Sequence, residues 1–273
     1  MITQIEVRNS QGGLLPLTMA SDNGGIVVKD IDGLYPTKAT IVSSSFAMMD
    51  GTLYQSSRRE NRNIVIKLDL DPDYIVDSVQ DVRTYLYNFF MPKTAINLRF
   101  YTDSGLTVNI DAMVEDFNSP FFTQTPEATV SIVCFKPDFL AMAPDTVAGS
   151  TVSDNTEMSV FYEGTTASGF TFTINVNRPM SEFTIYSRTP DNTITSLDFQ
   201  ASLIAGDVVS ISTVSGAKSI TLTRSGVTSS LLYGMIPPSK WIQFVPGLNY
   251  VRVYSVGAAV PYTIAYTARY GGL

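Results

Sequence analysis

The chain has 273 residues, of which 44% are hydrophobic and only 16% charged, with a net charge of −7 and a pI near 4.6. That balance excludes an intrinsically disordered chain. An acidic sequence without a Lys/Arg-rich tract is also a poor match for a nucleic-acid backbone or an anionic membrane surface. Histidine is absent, which removes the usual general base, any Ser-His-Asp arrangement and the commonest zinc ligand together.

Read from its start, the sequence alternates at once: ITQIEVRNS is a strand, Gly12-Gly13 a turn, and GGLLPLT a short apolar segment. IVVKDIDGLYP reads as a strand running into a loop at Asp32-Gly33, and TKATIVSSSF as a further strand. Ser45 to Asn61 is polar and basic around Asp50-Gly51 and reads as an irregular connection. From Asn63 to Leu70, Ile64, Ile66, Leu68 and Leu70 alternate with polar neighbours, which predicts a strand with one buried face. One helix is predicted next. Asp71 is its expected N-cap and Pro72 its first residue, and Ile75, Val79, Val82, Leu86 and Phe89/Phe90 form its apolar stripe. Met91-Pro92-Lys93 ends it. AINLRFYT and LTVNIDAMVEDF form a hairpin about Asp103-Ser104-Gly105, and EATVSIVCFKPDF is one more strand.

Around residue 141 the texture changes, and AMAPDTVAGSTVSDNTE reads as a linker or domain-entry loop. Beyond Ser159 there is no helical periodicity. Short alternating runs recur from FYEGTTASGFTFTINVN to PYTIAYTARY, separated by turns at Gly206-Asp207, Ser215-Gly216 and Pro246-Gly247. The expected fold is therefore mainly β: an N-terminal α+β domain of antiparallel sheets with one helix over residues 1–143, then a C-terminal, jelly-roll-like β-sandwich over 144–273. The last strand and tail, about 262–273, are candidates for packing back on the N-terminal domain.

The residues that could carry chemistry each have a plainer use. Asp69, Asp71 and Asp73 could offer oxygens to Ca²⁺, but they lack the glycine and distal glutamate of a calcium loop, and helix capping already accounts for two of them. Glu115 and Asp116 are strand neighbours, so they point to opposite faces and cannot act on one bond. Cys134, the single cysteine, sits in an alternating run that predicts a buried structural thiol, as in a chain assembled in a reducing compartment. No signal peptide, no apolar run of membrane-spanning length and no phosphate-binding glycine loop is present. No cofactor and no metal are expected. Arg58, Arg59 and Arg62, in SSRRENR, form the one basic cluster. It is either a contact to an adjacent subunit or acidic partner, or a solvated loop interspersed with Glu60. Trp241, Phe244, Tyr250, Tyr254, Tyr262, Tyr266 and Tyr270 crowd the end of the chain, where aromatics fill a sandwich core or stack on sugars. A soluble carbohydrate-binding protein is therefore a competing reading.

The order of these pieces resembles the distal tail proteins of long-tailed bacteriophages. The matching stretches are Arg62 to Leu70, the helix ending at Lys93, Cys134 to Phe139, Pro246 to Asn249 and Tyr266 to Leu273. Each is short; their co-linearity over nearly the whole chain carries the resemblance. It implies a non-enzymatic virion protein of the tail tip, assembled in the host cytoplasm. Six copies would form a ring through their N-terminal domains, joining the tail tube protein to the tail-tip hub protein. The sandwiches would project as platforms for side fibres or receptor-binding proteins, with host surface carbohydrate as a further possible ligand. It also implies that Tyr266 to Leu273 is a closing element of the folded body, with Tyr270, Gly271, Gly272 and Leu273 packed against a neighbouring surface.

Overall fold

Alternation of one buried and one outward residue builds most of this molecule. The computed structural model describes residues 1–19, 25–48 and 50–273. They divide into two units, one of Met1–Met142 with Gly271–Leu273 and one of Ala143–Tyr270.

In the first unit the strands are β1 (Ile2–Asn9), β2 (Leu14–Thr18), β3 (Ile26–Asp32), β4 (Ala39–Ser44), β5 (Leu53–Arg59), β6 (Arg62–Leu70), β7 (Ala95–Thr102), β8 (Thr107–Asn118), β9 (Glu127–Cys134) and β10 (Phe139–Ala141). Pairing runs β10-β8-β7-β1-β2-β3-β6-β9, and β8 pairs with β9 as well, so the ring of strands closes on itself. Closure leaves no open edge along that ring. It works because alternate side chains are apolar and buried on every strand, as with Ile64, Ile66, Leu68 and Leu70 on β6 or Ala128, Val130, Ile132 and Cys134 on β9. The β8 strand serves three neighbours, β7 and β10 along its first half and β9 along its second, and its register against β9 shifts at a bulge between Val114 and Asp116.

The helix, α1 (Val79–Phe90), starts later than Asp71-Pro72 predicts. Its N-cap is Ser78, whose hydroxyl accepts from the Asp81 amide while the Asp81 carboxylate accepts from the Ser78 amide, a reciprocal capping box. Two orphan amides satisfied at once outweigh a proline start. Asp73 instead closes a turn, its carboxylate accepting from the Ile75 amide at 3.0 Å. Ile75 is thus on the surface and not in the stripe, while Val82, Leu86, Phe89 and Phe90 are buried against a frame that includes β1 and β8, with Phe90 stacked on Phe117.

A second correction concerns Ser45 to Asn61. Leu53–Arg59 is a regular strand, β5, paired antiparallel with β4 in a two-stranded sheet of its own. Met49 lies outside the described residues.

The second unit holds β11 (Asp145–Ser150), β12 (Met158–Tyr162), β13 (Phe170–Asn175), β14 (Met180–Arg188), β15 (Ile194–Leu203), β16 (Val208–Ser212), β17 (Ser219–Arg224), β18 (Val227–Ser230), β19 (Met235–Ile236), β20 (Gly247–Tyr254) and β21 (Pro261–Tyr266). One sheet has the order β11-β21-β13-β16-β17-β18 and the other β12-β20-β14-β15-β19. Their apolar faces meet, as the 5.8 Å approach of Phe172 on β13 and Phe183 on β14 shows. The segment read as a linker contributes β11, which pairs with β21 along its whole length. A side chain on Gly149 would collide with the Tyr262 ring at 2.6 Å, so the small residues that resemble a linker are what the close approach requires. The run KWIQFVPG, whose alternation predicts a strand, is largely irregular: Phe244 makes an isolated bridge with Ser168, and only Gly247 enters a strand, as the first residue of β20.

Candidate interaction surfaces

The basic cluster SSRRENR does not act as one unit. Arg62 is 1% exposed, and its guanidinium lies 4.3 Å from the centre of the Phe139 ring. Its Nε donates to Pro137 O at 2.8 Å, Nη1 to Gly33 O and Tyr35 O at 2.6 and 2.7 Å, and Nη2 to Gly271 O at 2.6 Å. Burial lowers its pKa, opposed by the nearby Asp138 carboxylate. Arg62 is therefore a structural clamp and no contact for a neighbour, which corrects the expectation. Arg59 is committed too: it forms a fork on Asp138, with Nη2 to Oδ2 at 2.9 Å, and that hydrogen bond holds its pKa up. Arg58 is exposed like Arg59, but unlike it makes no ion pair among the described residues.

The Arg62 clamp explains the glycines around it. Gly33 has φ +86°, and a Cβ there would sit 1.9 Å from Asn63 O, so only glycine lets the chain cross β6 and offer its carbonyl to Arg62. Gly272 lies against Pro36, where a Cβ would come within 2.8 Å. With the Leu273 amide donating to Leu34 O at 3.0 Å, residues 271–273 are fixed in the first unit. Tyr270 belongs to the second unit and is buried. Cys134 is buried close by, and burial pushes its thiol up to about 12, which makes it an unreactive core residue.

The β4–β5 hairpin is the opposite kind of surface. Every residue of β5 is exposed, and Ile41, Val42, Phe46, Met48, Leu53 and Tyr54 are exposed apolar side chains on or beside it. An isolated two-strand sheet with no core is marginal in water, and its outer edges present unpaired backbone groups to any passing strand.

In the second unit the aromatics mostly fill the core. Phe244, Tyr262, Tyr266 and Tyr270 are buried. Phe170 and Phe244 stack at 4.8 Å, and Tyr162 donates to Thr166 O while accepting from the Arg269 amide. Trp241, Tyr250 and Tyr254 are half-buried, with Arg188 lying 3.9 Å over Tyr250. The Pro-Gly-x-Asn motif is a turn closed from inside. Asn249 is buried, its Nδ2 donates to Val245 O and Gly247 O, and its Oδ1 accepts from the Val245 amide. An open depression is lined by Arg178, Met180, Glu182, Leu203 and Ser255 among others. Its arginine is spent on internal carbonyls, those of Ala258, Pro179 and Val256, and on Ser255 Oγ. Of the tempting acids, Asp69 pairs with Lys29, and Glu115 accepts from Ser131 Oγ. Among the described residues no cluster of acids, cysteines or histidines could hold a metal ion, and no helix is long and apolar enough to cross a membrane.

Residues 163–270 match the family described as siphovirus-type tail component, C-terminal domain. Over 97% of the chain the fold is similar to that of the Dit protein of phage SPP1, described as a paradigm of the hub adsorption apparatus in phages that infect Gram-positive bacteria, with a TM-score of 0.68, 13% identity and 98% of that chain covered. A chain of the phage p2 baseplate in its activated conformation aligns at a TM-score of 0.46 and 10% identity, covering 96% of this chain and 97% of that one. No curated protein sequence matches.

Proposed function

We propose that this chain, whose residues 163–270 are similar to the siphovirus-type tail component domain, is a structural protein of a phage tail and assembles as a ring of six at the tail tip. The ring is built by the first unit, joins the tail tube protein to the hub protein, and offers the second unit as a docking platform for side fibres or receptor-binding proteins. Assembly takes place in the host cytoplasm, in keeping with a lone buried thiol.

The observation that carries the reading is the β4–β5 hairpin: a two-strand sheet with exposed apolar side chains and an exposed cation, Arg58, that makes no ion pair among the described residues, on a domain whose strands β1–β3 and β6–β9 close into a barrel. A closed ring needs two different complementary patches on each subunit, and a hairpin of this kind supplies one of them. Sedimentation of the purified full chain tests it. An assembly larger than the monomer is expected, reduced to monomer by Leu53→Ser/Tyr54→Ser; a wild-type chain that stays monomeric up to high concentration would remove the reading.

A further inference from the structure

Strand β6 has an unusual exposed surface at each end. The hairpin leaves the barrel between the end of β3 and the start of β6, since Asp32 lies opposite Val65. At the far end of β6, about 26 Å away at ~3.3 Å per residue, the chain enters the turn 71–78. Beside it lies the segment 119–126, because Asp69 is paired with Glu127 and the Leu70 amide donates to Pro126 O. Helix α1 ties the two together: Arg83 donates to Ser119 Oγ at 2.8 Å and lies over the Phe121 ring at 4.9 Å.

This pole carries Tyr74, Ile75, Val76, Phe121 and Phe122 in the open. Ile75 is 93% and Phe122 103% exposed, and neither serves the barrel core. Single exposed apolar residues need no explanation, but a group of five on two adjoining segments marks a contact surface. Around them stand Asp71, Asp73 and Asp77 with no Lys or Arg in the turn, a charge of −3 over 71–78. The hairpin at the other pole is apolar toward its tip and has Lys38 and Arg58 at its base, exposed and without ion pairs among the described residues, with the Glu60 carboxylate beside them accepting from the Thr40 hydroxyl. One chain thus presents an apolar patch with an acidic rim and, at the opposite end of a strand, an apolar finger with a basic base.

We propose that the β4–β5 hairpin of one copy seats on the 71–78/119–126 pole of the next copy, with Arg58 and Lys38 facing Asp71, Asp73 and Asp77. The inference rests on the ring reading above and specifies its second patch. Because the two surfaces differ, the contact is head-to-tail and repeats from copy to copy.

The test is disulfide trapping in the full chain carrying Tyr54→Cys and Phe122→Cys. The native thiol does not compete, being buried in the barrel. Oxidation is expected to give a ladder of covalent oligomers from the double variant. A mixture of the two single variants should give a covalent dimer and nothing higher. Arg58→Asp should weaken assembly roughly ten-fold, and Asp73→Lys in the same chain should restore it. If sedimentation shows assembly while no covalent product forms and Phe122→Cys stays open to a maleimide within the assembly, the hairpin sits elsewhere and this contact is overturned with the ring intact. A chain that does not assemble at all overturns both. Should Tyr54→Cys/Phe122→Cys not fold, judged by its melting temperature, Leu53→Cys/Phe121→Cys probes the same contact.

Discussion

Arg58 and Arg62 stand four residues apart in one polar run, yet the regions they belong to obey opposite rules. Around Arg62 every guanidinium nitrogen donates to a carbonyl, the cation lies on an aromatic face, and residues from 33–36, 137–139 and 271–273 converge on it. Around Arg58 there is a two-strand sheet with apolar side chains in water and no ion-pair partner for its charge among the described residues. Stability explains the first region completely and cannot explain the second. On the ring reading proposed above, the partners of these exposed side chains lie on another copy of the chain.

This contrast can be attacked from the clamp side first. Arg62→Ala leaves four carbonyls in and around a buried site without their donor and should cost roughly 3–5 kcal/mol, read as a large drop in melting temperature. Arg62→Lys should recover little of it, since an ammonium cannot reproduce a planar fork. A melting temperature unchanged by either would mean that the clamp holds nothing. Removal of residues 271–273 takes away the Gly271 and Leu273 hydrogen bonds, and about 1–3 kcal/mol should be lost in a denaturant titration.

A smaller effect, confined to low pH, is expected in the second unit. Asp207 accepts from Arg224 Nε and Nη2 at 2.8 and 2.6 Å and from the Ile204 amide, and these bonds hold its carboxyl below the usual range. A lowered folded-state pKa stabilises above the unfolded value of about 3.9 and is lost as pH falls through the folded value. The melting-temperature gap between wild type and Asp207→Asn should therefore be full at neutral pH and shrink below about pH 4. A gap independent of pH would show that the charge of Asp207 is not what stabilises.

The hairpin should give the smallest effect on stability. Leu53→Ser/Tyr54→Ser is expected to change the unfolding free energy by no more than about 0.5 kcal/mol while abolishing assembly. A large destabilisation would place those side chains in a core and erase the contrast between the two regions.

The barrel and sandwich strands were legible because one face of each is buried, so period-two alternation is written into them. Strand β5 was not, since LYQSSRR buries neither face and has no alternation to read. Strand β11 was hidden because Gly149 and its small neighbours look like a linker until the Tyr262 ring is seen against them. Asp71-Pro72 imitates a helix start that Ser78 and Asp81 actually make, a pairing visible in the sequence as Ser-x-x-Asp. Arg62 was misread for a different reason. An arginine flanked by Glu60, Asn61 and Asn63 looks solvated, and nothing local reveals that four distant carbonyls surround it. The exposed pole at 71–78 and 119–126 is obscured in the same way, because the spacing of Ile75 to Val79 and Val82 imitates a helical stripe.

Native mass spectrometry of the full chain tests the central claim most directly. The account predicts a dominant species of six copies that collapses to monomer in Leu53→Ser/Tyr54→Ser. A wild-type spectrum of monomer alone, at concentrations where the chain is folded, would contradict it.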